Sequence, residues 1–331
     1  MAKIDTSIET NKPKDKYKIT NWKEYNAGLR QRGSLTLWIS DDVVKGWYDK
    51  RPPQKGAQYE YSDTCMVMLC TLKCVFRLPF RQLSGFVGSI FGLMSMDLEV
   101  PSYTQICRRQ KGLKVPPCIS KRLADGEALH IVIDSSGLKI YGEGEWKVRK
   151  HGYSKRRTWR KIHLGVDQNS GEILAQVLTD NKTDDASILP EIVDLALEQG
   201  LDLDKVGADG AYDTYDNWGL LEEMEIECIV PPRENAVYQV DKEGNPTDHP
   251  RNLALSIIDE GGMEANRKGW KIQSGYHRRS ISETTFFRWK TILGDKMYAR
   301  KVENQITEAA IKSAILNRFI QVAKPISVKV A

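Results

Sequence analysis

The chain has 331 residues, with 49 Lys and Arg against 44 Asp and Glu for a formal net charge of +5. That length suits two modest domains, and 40% hydrophobic with 28% charged residues excludes a disordered chain. So small a positive excess identifies no partner by itself, and its distribution along the chain carries the information.

The start, Met1-Ala2-Lys3-Ile4-Asp5, has no apolar signal core, and the apolar run at 65–76, broken by Lys73, is too short to span a bilayer. A soluble, cytoplasmic protein without membrane contact is expected. The six cysteines include no Cys-x-x-Cys pair and have no His at zinc-finger spacing, so they read as small side chains in a reducing interior.

Residues 1–57 read as an arm. Its lysine-rich stretch at 12–18 and the breaker Arg51-Pro52-Pro53 enclose apolar anchors, among them Trp22, Leu29, Trp38 and Trp47. Residues 58–125 read as helical. One apolar helix at 61–77 has Ser62 or Asp63 as its cap. A second starts at Pro79, a turn follows at 97–101, and Ser102 caps a third at 103–113. Three short helices suit a helix-turn-helix-like DNA-binding region. Arg108 and Arg109 on the third helix are cations able to meet base edges or phosphates in a major groove.

The pattern changes at Leu129. A β-branched run at 130–134 ends in Asp134. An alternating strand at 160–167 and a third at 173–178, after the Gly171 turn, suggest an antiparallel meander. An amphipathic helix at 187–199 tolerates Pro190 in its first turn. A short strand at 205–209 ends in Asp209, a helix follows at 215–223, and a strand at 228–230 is stopped by Pro231-Pro232. Residues 233–272 read as a polar, turn-rich insertion. A long helix begins near Tyr276, an amphipathic one covers 305–322, and 324–331 is a tail. The fold class is α/β: a mixed five-stranded sheet flanked by helices, preceded by the helical region.

One acid at a strand end commonly only caps a turn. Two in this strand order are more specific, because strand ends hold carboxylates rigidly. Glu283 on the late helix is a third. Mg²⁺ takes oxygen ligands and keeps positions open for water and phosphate, and two such ions can flank a reacting phosphate. On a helical wheel Tyr276, Arg279, Glu283 and Lys290 fall within an arc of roughly 60°, an acid flanked by phosphate-binding cations. An exposed helix face with an ordinary i, i+4 ion pair is the bland alternative. Residues 139–163 hold nine Lys or Arg and two acids. Lys147, Arg149, Lys150, Lys155, Arg156, Arg157 and Arg160 in that stretch can track a phosphate backbone, and Trp146, Tyr153 and Trp159 can stack on bases. No His has a ligand-spaced partner.

Tyr276-x2-Arg279-x3-Glu283-x6-Lys290 resembles the third-acid motif of bacterial insertion-sequence transposases of the DDE type. Asp134-Ser-Ser-Gly-Leu-Lys and Asp209-Gly-Ala-Tyr-Asp resemble the first and second acid motifs, and the basic stretch at 146–163 and the stretch at 21–36 are similar to the same family. The resemblance implies an RNase H-like catalytic domain over 126–323, interrupted by the insertion. Asp134, Asp209 and Glu283 would hold Mg²⁺ or Mn²⁺, as two ions, with no small-molecule cofactor. Tyr276, Arg279 and Lys290 would contact DNA near the cut. The implied activity is binding of the element's terminal inverted repeats, strand cleavage and strand transfer into target DNA. A homodimer would pair two ends in a bacterial or archaeal cytoplasm, at the nucleoid. Trp270 is a candidate for holding an unstacked base, though packing is the simpler reading. An RNase H-like nuclease that cuts without joining, or a DNA-binding regulator without catalysis, are the alternatives.

Overall fold

The computed structural model describes residues 16–52, 55–56, 59–121, 128–140, 159–259 and 263–330. Its centre is a mixed sheet. Strands β2 (Leu129–Ile140), β3 (Trp159–Asp167) and β4 (Ile173–Asp180) run antiparallel as the expected meander. Strands β5 (Leu203–Gly207) and β6 (Glu227–Ile229) add in parallel on the other side, giving the order β4-β3-β2-β5-β6. A sixth strand that the sequence did not suggest, β7 (Lys296–Met297), pairs in parallel with the far end of β2. The first strand also differs from expectation. It does not end at Asp134 but runs on to Ile140, because Ser135 through Lys139 keep pairing with β3 down to Lys139↔Trp159.

The two faces of this sheet have different covers. On one face Ile131 and Ile133 pack with helix α6 (Leu189–Leu197), which a 3-10 turn at Ala186–Ile188 precedes, and with α7 (Tyr215–Glu223). Gly165 makes this approach possible. A Cβ there would lie 2.5 Å from Ile131 Cδ1 and 2.7 Å from Ile192 Cγ2, inside any real contact. On the other face Leu138, Ile162 and Leu164 meet the late helices, α10 (Ser280–Arg288) and α11 (Val302–Val322). Helix α11 is buried along most of its length, and its Asn317 side chain exchanges hydrogen bonds with the N–H and C=O of Ile173 at 2.7 and 2.8 Å.

The N-terminal helices are α1 (Trp22–Gln31), α2 (Asp41–Lys45), α3 (Asp63–Val75), α4 (Phe80–Leu93) and α5 (Tyr103–Arg109). Ser62 caps α3 by accepting from Cys65 N, and Ser102 with Gln105 forms a reciprocal capping box on α5. Helix α5 ends at Arg109, four residues short of expectation, and Gly112 in the turn that follows takes φ +76°. These helices share one core with the second sheet face: Leu72, Leu83 and Ile106, all fully buried, belong with Leu164, Trp289 and Ile315. Each such side chain contributes about 1.5–3 kcal/mol on burial. The exposed Lys111–Glu303 pair at 3.9 Å adds at most about 1 kcal/mol, so burial is what joins the helices to the sheet. The arm and the tail, read separately from sequence, meet as an antiparallel pair of β1 (Lys16–Ile19) and β8 (Ser327–Val330). Arg32 locks that region by donating to the carbonyls of Phe319 and Ala323.

The stretch 233–272 is only partly turn-rich. It carries two helices, α8 (Pro250–Asp259) and α9 (Met263–Gln273). Ala254, Leu255 and Ile258 are buried at helical spacing, a signal masked in the sequence by the surrounding Gly and Pro. Nor is the run from Tyr276 one regular helix. It is a 3-10 turn at Tyr276–Arg279, then α10, then a π turn at Trp289–Leu293. Among the described residues, no helix is long and apolar enough to cross a membrane.

Candidate active site

Strand β2 pairs with β3 along one edge throughout residues 131–139. Its other edge carries β5 only as far as Val132↔Gly207 and β7 only from Lys139↔Lys296. Residues 133–138 therefore face a gap between two short parallel strands, and Asp134 and Ser136 sit in it. Asp134 lies two residues past Val132, and Asp209 lies two residues past its register partner Gly207. Side chains two apart on a strand share a face, so Asp134 shares the face of Val132, and Asp209, just past the end of β5, lies near enough for its charge to act on Asp134 and on Arg279.

Asp134 is largely buried and takes three donors. Ser135 N donates to Oδ1 at 2.8 Å, while Ser282 Oγ at 2.9 Å and Arg279 Nη1 at 3.2 Å donate to Oδ2. Burial is the main reason that its pKa lies above the ordinary carboxylate range, and the charge of Asp209 pushes the same way. Asp209 accepts from Ala211 N at 2.8 Å, which caps the 3-10 turn at Gly210–Tyr212. Glu283, on the first turn of α10, is 62% exposed and reaches the other side of the same arginine, with Arg279 Nη2 donating to Oε1 at 2.7 Å.

Arg279 is thus the hub. Burial lowers its pKa, but Tyr276, Asp134, Glu283 and Asp209 together outweigh that and hold it above the usual value. Its guanidinium lies 5.8 Å from the Tyr276 ring centroid, and Tyr276 packs in turn on Trp270 at 6.5 Å. The three acids therefore act on one cation, although among the described residues no three such side chains form a closed ligating cluster.

A family model described as a transposase DDE domain matches residues 125–318, more than half of the chain. The chain belongs to the DDE transposases. A second model with the same description matches residues 30–143. The protein is accordingly a DNA transposase, an enzyme of the DDE type, and this family generally depends on divalent metal ions. Two solved structures are remotely similar. One is a piggyBac transposase synaptic complex with hairpin DNA, at TM-score 0.38 and 10% identity over 88% of this chain and 74% of that one. The other is a Drosophila P element transposase strand transfer complex, at TM-score 0.28 and 10% identity over 86% and 70%.

The other expected DNA contacts of the transposase separate into groups. Lys290, exposed on the π turn, donates to Ser136 Oγ at 2.6 Å, beside Asp134. Arg160 on β3 turns to α11 and donates to Gln305 Oε1 at 3.1 Å. Arg108 is exposed on α5. Arg109 is engaged at home: it donates to Tyr61 O at 2.9 Å, pairs with Asp63, and lies 3.8 Å from the Tyr59 ring centroid. Lys147, Arg149, Lys150, Lys155, Arg156 and Arg157 lie outside the described residues. Trp270 is buried, as packing requires. His163 is fully buried on β3 against Thr179 Oγ1 at 2.9 Å, and burial lowers its pKa to about 4.

Several residues around this candidate site went unassigned in the sequence. Ser282 is fully buried and fastens α10 to Asp134. Its position three after Arg279, on the inward side of that helix, was the available signal. Asp213 was part of the second motif but had no role. Its buried carboxylate accepts from Arg251 Nε at 2.7 Å and Nη2 at 2.9 Å, from Trp218 Nε1 at 3.1 Å and from Arg233 N at 2.9 Å. Arg233 also donates to the carbonyls of Gly210 and Ala211. The backbone that follows Asp209 is thereby tied to α8 of the insertion. Nothing in the sequence pairs Asp213 with an arginine 38 positions away.

Proposed function

We propose that this transposase belongs to the bacterial insertion-sequence type carrying the Tyr-x2-Arg-x3-Glu-x6-Lys motif. Asp134, Asp209 and Glu283, on an RNase H-like catalytic domain at 126–323, would hold two Mg²⁺ or Mn²⁺ ions. One observation carries the reading. Asp134 within β2 and Asp209 just past β5 each stand two residues after the register pair Val132↔Gly207, and Arg279 spans from Asp134 to Glu283.

The donor chemistry suits such ions, with Arg279 lying between Asp134 and Glu283 where a cation would sit. The donors are carboxylate oxygens, which hard cations prefer. Arg279 stands in as the positive charge among them, and the mutual effect of Asp134 and Asp209 is one that a cation relieves. When bound, the ions supply acidification of the attacking oxygen and neutralisation of charge building on the phosphate.

The chain's own residues do the rest. Ser135 N and Ser282 Oγ keep the Asp134 carboxylate oriented. Arg279 leaves the acids for the DNA phosphate, where its planar fork makes paired hydrogen bonds. Lys290, steadied by Ser136, holds a second phosphate oxygen as a point charge, and Tyr276 borders the cut. Glu283, the most exposed of the three acids, closes the site from α10. The region 58–125, with Arg108 and Arg109, and the basic stretch around Lys147 to Arg160 would bind the terminal inverted repeats and the target. A homodimer would pair two ends. The work would take place in the cytoplasm, at the nucleoid.

The test is cleavage and joining of DNA bearing the element's end, with Mg²⁺. The parent should cut at the end and transfer the strand, and Asp134→Ala and Glu283→Gln should do neither. Full activity in either variant removes the assigned roles. Cleavage without joining of pre-cut ends replaces the reading with a plain nuclease, and binding without cleavage in any divalent metal replaces it with a regulator.

A further inference from the structure

Away from the acids, a cavity of about 400 Å³ opens between the α3–α4 turn and the segment joining β7 to α11. Lys73, Arg77 and Phe80 line it from one side, Tyr298, Arg300 and Lys312 from the other. That volume lies in the range of sites for small organic molecules.

The charge in the wall is unbalanced. Glu308 is the one acid among its described lining residues, and it is fully engaged: Lys312 Nζ lies 3.1 Å away, and the N–H groups of Tyr298 and Ala299 donate to it at 3.0 and 2.8 Å. Lys73, Arg77 and Arg300 have no acidic partner among the described residues. The Lys73 ammonium instead rests on two aromatic rings, 5.0 Å from the centroid of Phe80 and 5.6 Å from that of Tyr298. Cation–π contact is a weaker partner than an anion.

A helix-ending turn places Arg77. It takes φ +54°, the left-handed conformation in which such a turn normally places glycine, while Leu78 N donates to Lys73 O at 3.0 Å to close that turn. Ser95 and Glu225 end their helices in the same way, so the conformation sets where the Arg77 side chain leaves the backbone. The guanidinium lines the cavity while donating to Ile292 O at 2.9 Å.

We propose that this cavity binds a nucleotide. Lys73 leaves the two rings to take the phosphate with Arg77 and Arg300, and the planar base lies against the Phe80 ring that it vacates, with Tyr298, which Lys312 also faces, at the edge. A bare phosphate would leave the aromatic and aliphatic wall uncovered. A simple carboxylate would use only part of three cations, two of which carry forks shaped for phosphate oxygens. The nucleotide can be free or can be an unpaired terminal residue of DNA, since both present the same chemistry. An occupant would bridge the N-terminal helices to the catalytic sheet.

The full chain is titrated calorimetrically with dAMP, deoxyadenosine and inorganic phosphate in the presence of EDTA, so that no divalent metal recruits phosphate to Asp134. Binding of dAMP is expected to be at least about 10-fold tighter than that of either fragment. Lys73→Met and Arg300→Ala should each weaken it by about 10-fold, and Asp134→Ala should leave it unchanged. Arg77→Gly is the sharpest variant: relief of the left-handed backbone should raise the melting temperature while binding weakens. Displacement of dAMP by a duplex with a single-stranded overhang, but not by a blunt duplex, assigns the site to DNA; no displacement by either assigns it to free nucleotide. Equal binding of dAMP and phosphate, or unchanged affinity in Lys73→Met, Arg77→Gly and Arg300→Ala, overturns the proposal.

Discussion

Asp213 and Asp134 are each bound by an arginine, and the two pairs are built differently. Asp213 is fully buried, and Arg251 grips it through two nitrogens at 2.7 and 2.9 Å while Trp218 and Arg233 take the remaining positions. Asp134 receives Arg279 through one nitrogen at 3.2 Å, and the same guanidinium is shared with the exposed Glu283. A buried pair with every position filled is a clamp, because losing one partner strands a charge away from water. A shared, partly exposed pair can exchange partners at little cost. The clamp steadies the backbone after Asp209, and the loose pair lies in the proposed metal and phosphate site.

The largest test strikes the loose side. Asp134→Ala and Glu283→Gln should lower the strand-cleavage rate by about 10³-fold or more, since several kcal/mol of charge stabilisation in the transition state would be lost. Their circular dichroism should stay native. Retained cleavage in a folded variant would break the functional half of the comparison.

The next strikes the clamp. Arg251→Ala should destabilise the protein by about 3–5 kcal/mol in denaturant unfolding, because it leaves the Asp213 charge buried and unpaired. A loss under about 1 kcal/mol, the range of exposed pairs, would show that the two arginines do not differ as argued.

A third prediction sets the pH window for comparing them. His163 has a folded value of about 4 against an ordinary 6.5. Between those values the unfolded chain binds the proton and the folded chain does not. Stability from neutral His163 is therefore complete above pH 6.5 and falls as pH drops toward 4, by about 3 kcal/mol in all. His130, also lowered to about 4 by burial, adds in the same direction. His163→Gln should flatten the slope of unfolding free energy between pH 6.5 and 4, and an unchanged slope would remove His163 as its source.

The smallest effect sharpens the contrast most. Arg279→Ala should destabilise the protein less than Arg251→Ala does, because Asp134 keeps its donors Ser135 N and Ser282 Oγ. It should also tighten Mn²⁺ binding, followed by electron paramagnetic resonance, because the competing internal cation is gone. Weaker Mn²⁺ binding would mean that Arg279 organises the acids for metal instead of standing in its place.

Much of this was legible in the chain. Periodicity located the meander, and caps located the starts of α3 and α5, because alternating apolar residues and Ser caps are local signals. The helices of the insertion were hidden, since Gly and Pro around them mimic a loop. The end of β2 was misplaced for a different reason. Whether a strand stops or continues past Asp134 depends on β3, whose pairing residues lie far along the chain.

Local chemistry in the sequence decided which residue types stand at Asp134, at Asp209 and on the late helix. Tertiary structure alone decided that β5 and β7 leave a gap on one edge of β2, that Ser282 and Arg279 converge there on Asp134, and that Arg251 clamps Asp213. The physical reason is that a side chain's type and spacing are written locally, whereas a hydrogen-bond partner 38 or 148 positions away is chosen by sheet order and packing.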